Sequence, residues 1–313
     1  MILKAPVIVF AYRRADKLKA CLNALSVADG HTETDLFIYS DGAKDDNDKK
    51  DVETTREVID RFLSDNGFKN VYIKKRNSNV GLANSIISGV SEVMESFSKV
   101  IVVEDDLIVT KDYLTYMNNA LDYYEDKQNI WSVTGYTEPL KVLKYYKHDI
   151  YYGYRGCSYG WGTWKDRWIT VDWEMREYPH FKKNRRLIHK LNRSGNSMIK
   201  MLNYQMEGKI DSWAIRWCFA QSMQDRFTVY PKSTFVIDFG TDGSGTHVSK
   251  KEINMDNMHI YGKEVRLETL RPDIIITLYY WYMHSDTLWN KIKRIKFLRV
   301  IKKKIFGHKG IVK

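Results

Sequence analysis

The chain is poor in cysteine and has no long apolar run. Its three cysteines, Cys21, Cys157 and Cys218, lack metal-ligand spacing, so we expect buried, reduced thiols of the kind found in cytosolic proteins. No stretch of 18 apolar residues is present, so no membrane-spanning helix is predicted. Residues 1–10 are followed at once by two arginines and contain no small-residue cleavage site, so no signal peptide is predicted either.

Glycine-rich phosphate loops are also missing. No GxGxxG motif follows a predicted strand, which disfavours a dinucleotide-dependent oxidoreductase. The first predicted strand is followed by Tyr12, Arg13 and Arg14, whereas a sugar nucleotidyltransferase is expected to have a glycine-rich loop there. That enzyme class stays an alternative, because it shares a doubly wound sheet and acidic metal ligands.

The excess of basic residues is confined to one end of the chain. The formal net charge is +11, and residues 290–313 contain ten Lys and Arg and no acid. Residues 1–289 contain 40 basic and 39 acidic residues and are therefore nearly neutral. This distribution argues against a nucleic-acid groove across the fold and predicts a local electrostatic anchor. We expect no nucleic acid partner.

Apolar runs typical of buried strands alternate with helical patterns through the first hundred residues. The runs lie at 6–11, 36–39, 71–73 and 100–103, and helical patterns separate them at 18–25, 52–63 and 81–97. The alternation predicts an α/β fold with a doubly wound, mostly parallel sheet. Ligands of such sheets bind beyond the carboxyl ends of the strands, which is where Tyr12, Asp41 and residues 104–106 lie.

Three carboxylates directly follow the fourth apolar run. Glu104, Asp105 and Asp106 are costly at the end of a buried strand unless positive charge neutralises them. Mn²⁺ or Mg²⁺ would do so, because these ions prefer oxygen ligands and keep water or substrate phosphate in their coordination shell. The alternative is a solvated turn that caps the next helix. The preceding buried strand favours the metal site.

Several segments together carry a resemblance to a known family. They are 101–109 with Asp112, Tyr113 and Trp131; 9–14; 40–42; 160–164 with Arg167 and Trp168; 211–216; and 243–247. In content and order they resemble GT-A glycosyltransferases of the N-acetylglucosaminyltransferase I type and related bacterial transferases of lipopolysaccharide or capsule type. The resemblance covers most of residues 5–250 and implies a GT-A fold.

The resemblance implies roles for the acidic triplet and the nucleotide loop. Asp106 is expected to bind Mn²⁺ or Mg²⁺, Asp105 the ribose and Glu104 the hydroxyl groups of the donor sugar. Asp41 is expected to contact the uracil base. Beside it we expect two residues of the loop after the first strand, Tyr12 and Arg13. Sequence does not separate Arg13 from its neighbour Arg14, and one of the two is expected to be solvated.

Further donor contacts are expected from a second loop and from a Gly-Trp turn. Arg76, Gly81 and Asn84 lie in a stretch similar to one near the donor site of related transferases, with Asn79 as the expected helix cap. Trp161 resembles the turn residue under the donor sugar. His247 follows a flexible glycine-containing segment and is predicted as a second metal ligand, with a structural histidine as the alternative.

Asp211 is the predicted general base. Inverting transfer needs a carboxylate near the acceptor hydroxyl, and an aspartate next to Trp213 is expected to be partly desolvated. The alternative is that Asp211 caps a helix over residues 212–223.

The chain is predicted to have three parts. Residues 1–140 form a nucleotide-sugar-binding, Rossmann-like half, residues 141–272 a contiguous acceptor-side half, and residues 273–313 a basic amphipathic helix that associates with an anionic membrane surface. A UDP-sugar donor, a glycan or lipid-linked glycan acceptor, and a peripheral location on the inner face of the cell membrane are expected. A non-catalytic carbohydrate- or membrane-binding protein is a further alternative.

Overall fold

The structure is a computed structural model that describes residues 4–240 and 257–285. Within these ranges the strands are β1 (Val7–Ala11), β2 (Asp35–Ser40), β3 (Asn70–Lys75), β4 (Lys99–Glu104), β5 (Leu107–Val109), β6 (Ile130–Thr134), β7 (Ile150–Gly153), β8 (Trp161–Trp164), β9 (Phe227–Pro231) and β10 (Val236–Asp238). All four strands predicted from apolar runs are present. His247 and the basic residues 290–313 lie outside the described ranges.

Helices connect most of the strands. The α-helices are α1 (Ala15–Leu25), α2 (Asp46–Leu63), α3 (Leu82–Ser96), α4 (Tyr113–Tyr124), α5 (Lys165–Trp168), α6 (Tyr178–Lys183), α7 (Arg185–Leu191), α8 (Ser197–Met206), α9 (Trp213–Met223) and α10 (Ile274–Met283). Short 3-10 helices lie at His31–Glu33, Lys141–Tyr145 and Asn192–Ser194. None of the helices in the described part of the chain is long and apolar enough to cross a membrane.

Eight strands form one mixed sheet in the order β3-β2-β1-β4-β8-β6-β9-β7. The neighbours from β3 to β4 pair in parallel, as do β6 and β9. Strand β8 runs antiparallel to β4 and β6, and β7 runs antiparallel to β9. The predicted α/β fold with a mostly parallel sheet, consistent with the GT-A type, is confirmed. Strands from both sides of residue 140 share this sheet, and the division at that residue stays a prediction.

The two faces of the sheet are covered by different cores. In β1, Val7 and Val9 face the core formed with α1, α2 and α4, whereas Ile8 and Phe10 face the core formed with α3 and α9. Successive side chains of a strand point to opposite faces, so a strand buried on both sides reads as a continuous apolar run. The three cysteines are buried and unpaired, as expected.

The sheet order places four loops at one edge. Strands β3, β2, β1 and β4 are parallel neighbours, so the residues after each of them meet at their carboxyl ends. A separate two-stranded sheet pairs β5 with β10 and brings Asp238 opposite Leu107, directly after the acidic triplet.

Candidate active site

Four carboxylates converge beyond the end of β4. Asp105 is buried, Glu104 is partly buried, and Asp106 accepts the amide of Phe239 through its backbone carbonyl at 2.9 Å. Asp238 approaches from β10, and a Cβ atom added at Gly240 would collide with the carboxylate of Asp106 and meet that of Asp238 at 3.1 Å. Only a residue without a side chain lets the backbone pass this close to the two acids.

Arg14 is the basic residue that enters this cluster. Its guanidinium donates to Oδ1 of Asp105 and, at 2.7 Å, to Oδ2 of Asp106. The two acids also raise the pKa of Arg14 above its ordinary value, although burial opposes this. Of the two arginines that the sequence did not separate, Arg14 therefore faces the triplet and Arg13 is the more exposed. The predicted place of Arg13 beside the uracil base stays a prediction.

Burial, together with the clustered negative charge, raises the pKa values of two acids. Burial, reinforced by Asp106 and Asp105, raises the pKa of Glu104 to about 8, and Asp238 adds to the shift. Burial also raises the pKa of Asp105 to about 6, even though Arg14 acts in the opposite direction. One guanidinium thus does not compensate the clustered carboxylates.

The donor set suits a divalent cation. Asp106, Asp105 and Asp238 offer carboxylate oxygens, and the backbone at Gly240 passes directly beside Asp106 and Asp238. Within residues 4–240 and 257–285, no three side chains are already arranged as a metal cluster, and Arg14 occupies two of the oxygens. Mn²⁺ and Mg²⁺ take part of their shell from water and substrate phosphate, so a few protein oxygens are enough.

Arg13 and Tyr12 are bound to an acid that sequence reasoning missed. Arg13 donates to Oδ1 of Asp48 at 2.7 Å, the hydroxyl of Tyr12 donates to Oδ2, and the amide of Lys44 donates to the Tyr12 hydroxyl at 3.2 Å. Burial and the bond to Asp48 raise the pKa of Tyr12 to about 12. Asp48 lies in the first turn of α2, within a charged stretch that has the sequence of a solvated helix start. No feature of the sequence therefore identified it as a partner of Tyr12 and Arg13.

Asp41 holds the loop between β3 and α3 against the end of β2. Its buried carboxylate accepts the amides of Gly42, Val80 and Gly81 at 3.0–3.2 Å. It therefore satisfies backbone donors at the start of α3, a role predicted for Asn79. Asn79 instead donates its side-chain amide to the carbonyl of Gly42 at 2.9 Å, and that prediction is corrected.

The other predicted donor residues surround this loop. Arg76 donates to the hydroxyl of Ser88 at 2.8 Å, and Asn84 donates to the carbonyl of Val80 at 3.0 Å. Gly81 has φ = +80°, which favours glycine. Arg56, which sequence reasoning missed, donates to the backbone carbonyls of Arg76 and Asp41 and joins the ends of β2 and β3.

Asp211 lies on the same edge, next to the α3 loop. Its Oδ2 is 4.0 Å from the position that a Cβ atom of Gly81 would take, and its Oδ1 accepts from Arg216 at 2.9 Å. Ser212 is the helix cap, because its hydroxyl accepts the amide of Ile215. The alternative role of Asp211 as the cap is therefore excluded. Its side chain is 58% exposed, so the expected desolvation is wrong.

Trp161 belongs to the core rather than to an open surface. It has no exposed area and stacks on Trp213 at 5.1 Å and on Trp168 at 6.0 Å between ring centroids. Six indoles fill this region because aromatic side chains bury large areas. A side chain enclosed in this way has no surface for a donor sugar, and its predicted contact is corrected.

Two residues of the acidic cluster were missed by sequence reasoning. Asp238 directly follows a short apolar run, 235–237. An acid after an apolar run is also the pattern that predicted the triplet after β4, although the run there is longer. Tyr159 is partly buried, and its pKa is raised by burial and then by Asp238. No local pattern distinguishes Tyr159 from its aromatic neighbours. The predicted ligand His247 lies outside the described residues.

The chain resembles known proteins both in sequence and in structure. The profile of the GNT-I family matches residues 2–168, more than half of the chain, whereas no curated protein matches. Among solved structures, the mannosyltransferase PcManGT from Pyrobaculum calidifontis in complex with GDP-Man and Mn²⁺ has a TM-score of 0.39 and 13% identity, over 52% of this chain and 45% of that one.

Two other similar structures are bacterial. S. aureus TarS 1–349 has a TM-score of 0.44 and 12% identity, over 74% of this chain and 59% of that one. The apo form of the glycosyltransferase GlyE from Streptococcus pneumoniae has a TM-score of 0.35 and 11% identity, over 72% and 44%. The chain covers less than two thirds of each of the three structures. On the family profile, which spans more than half of its sequence, the chain belongs to the GNT-I family of glycosyltransferases.

Proposed function

We propose that this protein is an inverting, metal-dependent glycosyltransferase that moves a sugar, GlcNAc or another hexose, from a UDP-sugar to a glycan acceptor. The observation that carries the proposal is the convergence of Glu104, Asp105, Asp106 and Asp238 around one guanidinium. Such an excess of negative charge suits a cation that in turn binds a diphosphate. The resemblance to lipopolysaccharide- and capsule-type transferases supports a role in bacterial surface polysaccharide synthesis.

We assign the metal to Asp106, with Asp105 on the ribose and Glu104 on the donor-sugar hydroxyl groups. The bound Mn²⁺ or Mg²⁺ would neutralise charge on the departing nucleoside diphosphate. Arg14 keeps the two aspartates oriented before the donor arrives, because its fork bonds to both. A Glu104 that is partly protonated near neutral pH can donate a hydrogen bond as well as accept one.

The uracil base is assigned to the edge formed by the ends of β2 and β3. Asp41 and the backbone that it fixes around Gly81 are preorganised there by hydrogen bonds. Tyr12 and Arg76 follow β1 and β3 directly, at the same edge of the sheet. His247 is proposed as a further metal ligand.

Asp211 is assigned as the general base. Arg216 fixes the orientation of its carboxylate, and the side chain is open to an incoming acceptor. As the acceptor oxygen attacks the anomeric carbon, its proton passes to the carboxylate of Asp211. The bond between the anomeric carbon and the diphosphate oxygen breaks on the opposite face.

A panel of UDP-sugars with Mn²⁺ tests this assignment through UDP release. Wild-type protein should release UDP, and Asp211→Asn should slow transfer by about a hundredfold or more, because the proton acceptor is lost. Asp65→Asn, at an exposed residue just after the C-terminal end of α2, is the matched control and should retain wild-type rates. Formation of UTP and sugar 1-phosphate from a UDP-sugar and added pyrophosphate would indicate a nucleotidyltransferase, and UDP binding without turnover would indicate a non-catalytic protein.

We propose that the protein binds peripherally to the inner face of the cell membrane and that it finds its acceptor there. Helix α10 buries Ile276 and Tyr280 and exposes four large apolar side chains, Ile274, Ile275, Leu278 and Trp281. These exposed positions are spaced along one side of the helix. The ten basic residues at 290–313 follow in sequence, and the combination of an exposed apolar helix face with a basic segment suits an anionic lipid surface and a lipid-linked acceptor.

A further inference from the structure

The lobe formed by α6, α7 and α8 has a charge unlike that of the rest of the body. Residues 178–209 contain eight Lys and Arg and one acid, Glu207. Two of these cations, Lys190 and Arg193, pair with Asp225 at 2.9 and 2.6 Å. The lobe therefore has a local net charge of +7, although residues 1–289 as a whole are nearly neutral.

Much of this positive charge is exposed. Lys182, Lys183, Arg185 and Arg186 are all exposed, and within the ranges that the structure covers no carboxylate lies within ion-pairing distance of them. Clustered charge of one sign attracts ligands of the opposite sign over about a Debye length, roughly 8–10 Å at moderate salt. The lobe is therefore suited to an anionic ligand.

A cleft of about 460 Å³ opens on α8 of this lobe, and two of its cations, Lys200 and Lys209, line it. Its polar lining consists of Asn196, Lys200, Asn203, Tyr204, Glu207 and Lys209. The ring of Tyr204 is 37% exposed, and the ammonium groups of Lys200 and Lys209 lie 5.8 and 5.3 Å from its centroid. The volume is within the range of small-molecule sites, which is roughly 300–1,000 Å³.

These groups match the chemistry of a charged sugar. The face of Tyr204 offers an apolar surface to the C–H side of a pyranose ring. The Oδ1 atom of Asn203 accepts from the hydroxyl of Tyr178 at 2.9 Å, which orients its amide NH₂ for a sugar hydroxyl. Lysine ammonium groups bind phosphate and carboxylate as point charges.

The cleft adjoins the predicted general base. Lys209 precedes Asp211 by two residues, so their Cα atoms are at most about 7.6 Å apart. The side chain of Gln205 on α8 accepts the amide of Ser212 at 2.7 Å and fixes α8 to the start of α9. Asp211 in turn lies against Gly81 on the donor side. An acceptor that binds at Tyr204 thus lies on the helix that is fixed to the segment of Asp211.

We infer that this cleft is an acceptor subsite for an anionic glycan, one that bears phosphate or carboxylate on the unit next to the sugar that receives the transferred residue. The inference rests on the proposed function, and it adds the charge of the acceptor. Tyr204 supplies the stacking surface, and Lys200 and Lys209 supply the positive charge. Glu207, which pairs with Lys209 at 2.7 Å, moderates that charge.

Calorimetric titration of the full chain at low salt, without donor or metal, tests the inference with four probes: glucose, glucose 6-phosphate, glucuronate and inorganic phosphate. We expect either anionic sugar to bind at least about tenfold more tightly than both glucose and inorganic phosphate. Lys209→Gln and Tyr204→Ala should each weaken this binding about tenfold. Tyr204→Phe, which keeps the aromatic ring, should bind as tightly as the wild type. Glu207→Gln should strengthen it, because the only acid of the cleft is removed.

The control is Lys19→Gln, an exposed lysine on α1, which should bind all probes like the wild type. Equal affinity for glucose and glucose 6-phosphate would overturn the inference, and so would unchanged binding in Tyr204→Ala and Lys209→Gln. Inorganic phosphate binding as tightly as the anionic sugars would also overturn it, because no sugar would then be recognised. Since no turnover is involved, wild-type UDP release reports separately on the proposed function.

Discussion

Arg13 and Arg14 are adjacent in sequence, yet their ion pairs differ in exposure. The side chain of Arg14 is 22% exposed and bonds to two acids, of which Asp105 is almost fully buried, whereas Arg13 is 50% exposed on Asp48. Breaking a buried pair leaves a charge uncompensated and costs several kcal/mol, whereas an exposed pair contributes about 0–1 kcal/mol. The two residues therefore form a natural matched pair for mutation.

Arg14→Ala is expected to lower the free energy of unfolding in chelator by about 2–4 kcal/mol, because Asp105 and Asp106 then lose the counter-charge to which they are bonded. Arg13→Ala should cost about 1 kcal/mol or less. Millimolar Mn²⁺ should recover much of the loss in Arg14→Ala, since the ion binds only the folded site. Urea unfolding with and without Mn²⁺ measures both. Equal losses for the two variants, or no effect of Mn²⁺, would contradict the assignment.

Glu104 predicts a pH dependence of stability in metal-free protein. Its pKa is raised from an ordinary value of 4.5 to about 8, so between these values the folded state binds more protons than the unfolded state. The free energy of unfolding should therefore fall as pH rises from about 5 to 8, with a slope of up to about 1.4 kcal/mol per pH unit. Asp105, with a pKa raised from 3.8 to about 6, adds to the fall at the acidic end.

Urea unfolding in chelator across this pH range tests the role of Glu104. Glu104→Gln should flatten the profile, because the titrating group is gone. Glu57→Gln, which removes an exposed acid paired with Arg61 on α2, should keep the wild-type slope. A Glu104→Gln profile parallel to that of the wild type would show that Glu104 ionises normally.

Sequence located the acidic residues of the site but not the direction of the side chains around them. Glu104 to Asp106 could be predicted because they end an apolar run. The partners of Arg13 and Arg14 are set by the backbone turn after β1, which composition does not reveal. Trp161 was assigned to the site because it lies in a Gly-Trp motif. Its burial depends on five other tryptophans, which come from other segments of the chain, so the motif alone did not predict it.

At the level of elements, the turn after β2 fixes the position of the loop that precedes α3. A Cβ atom at Gly42 would lie 2.5–2.8 Å from backbone atoms of Ser78, so the two segments touch at a residue that must lack a side chain. This contact keeps the amides of Val80 and Gly81 within reach of Asp41. The loop therefore has one position relative to the end of β2.

Gly42→Ala should displace this loop, with a cost of about 1–3 kcal/mol in stability and at least tenfold weaker UDP binding. The control is Gly30→Ala, where a Cβ atom meets open space and only the positive φ of +92° is strained. That variant should lose stability but bind UDP normally. Thermal unfolding and UDP titration measure the two effects, and unchanged UDP affinity in Gly42→Ala would separate the loop from the nucleotide site.

The elements that sequence predicted are those buried on both faces. Strands β1 and β4 appear as continuous runs of apolar, β-branched residues because both cores cover them. Strands β5 and β10 have three residues each and pair with one another, although they are more than a hundred residues apart in sequence. No local sequence pattern predicts a pairing of this kind. Strand β8 lies in an aromatic stretch whose periodicity is masked by its tryptophans.

On the scale of the whole molecule, the charged tail and the apolar face of α10 predict attachment to anionic vesicles. Full-length protein should float with vesicles that contain 30% anionic lipid and not with neutral ones, since each basic residue near the surface contributes about 1 kcal/mol. A chain that ends after Ser285 retains α10, whose Ile276 and Tyr280 are packed, and should lose most of the flotation. Full flotation of this shortened chain would contradict the role of the tail.

The apolar face is tested separately in the full chain. Leu278→Asp should weaken flotation, because an exposed apolar contact with lipid is replaced by a charge that anionic lipid repels. Val27→Asp, at an equally exposed apolar residue just after α1, should not change it. Identical flotation of the two variants would exclude α10 from the membrane contact.

The central claim is that the carboxylates after β4 form a metal-dependent nucleotide site. Titration of UDP into the protein, once with Mn²⁺ and once with chelator, tests it most directly. Wild type and the control Asp60→Asn, an exposed acid that pairs with Lys75, should bind UDP at least about tenfold more tightly with Mn²⁺. Asp106→Asn should show no such difference. Metal-dependent UDP binding that survives in Asp106→Asn, or UDP affinity independent of Mn²⁺ in the wild type, would contradict the account.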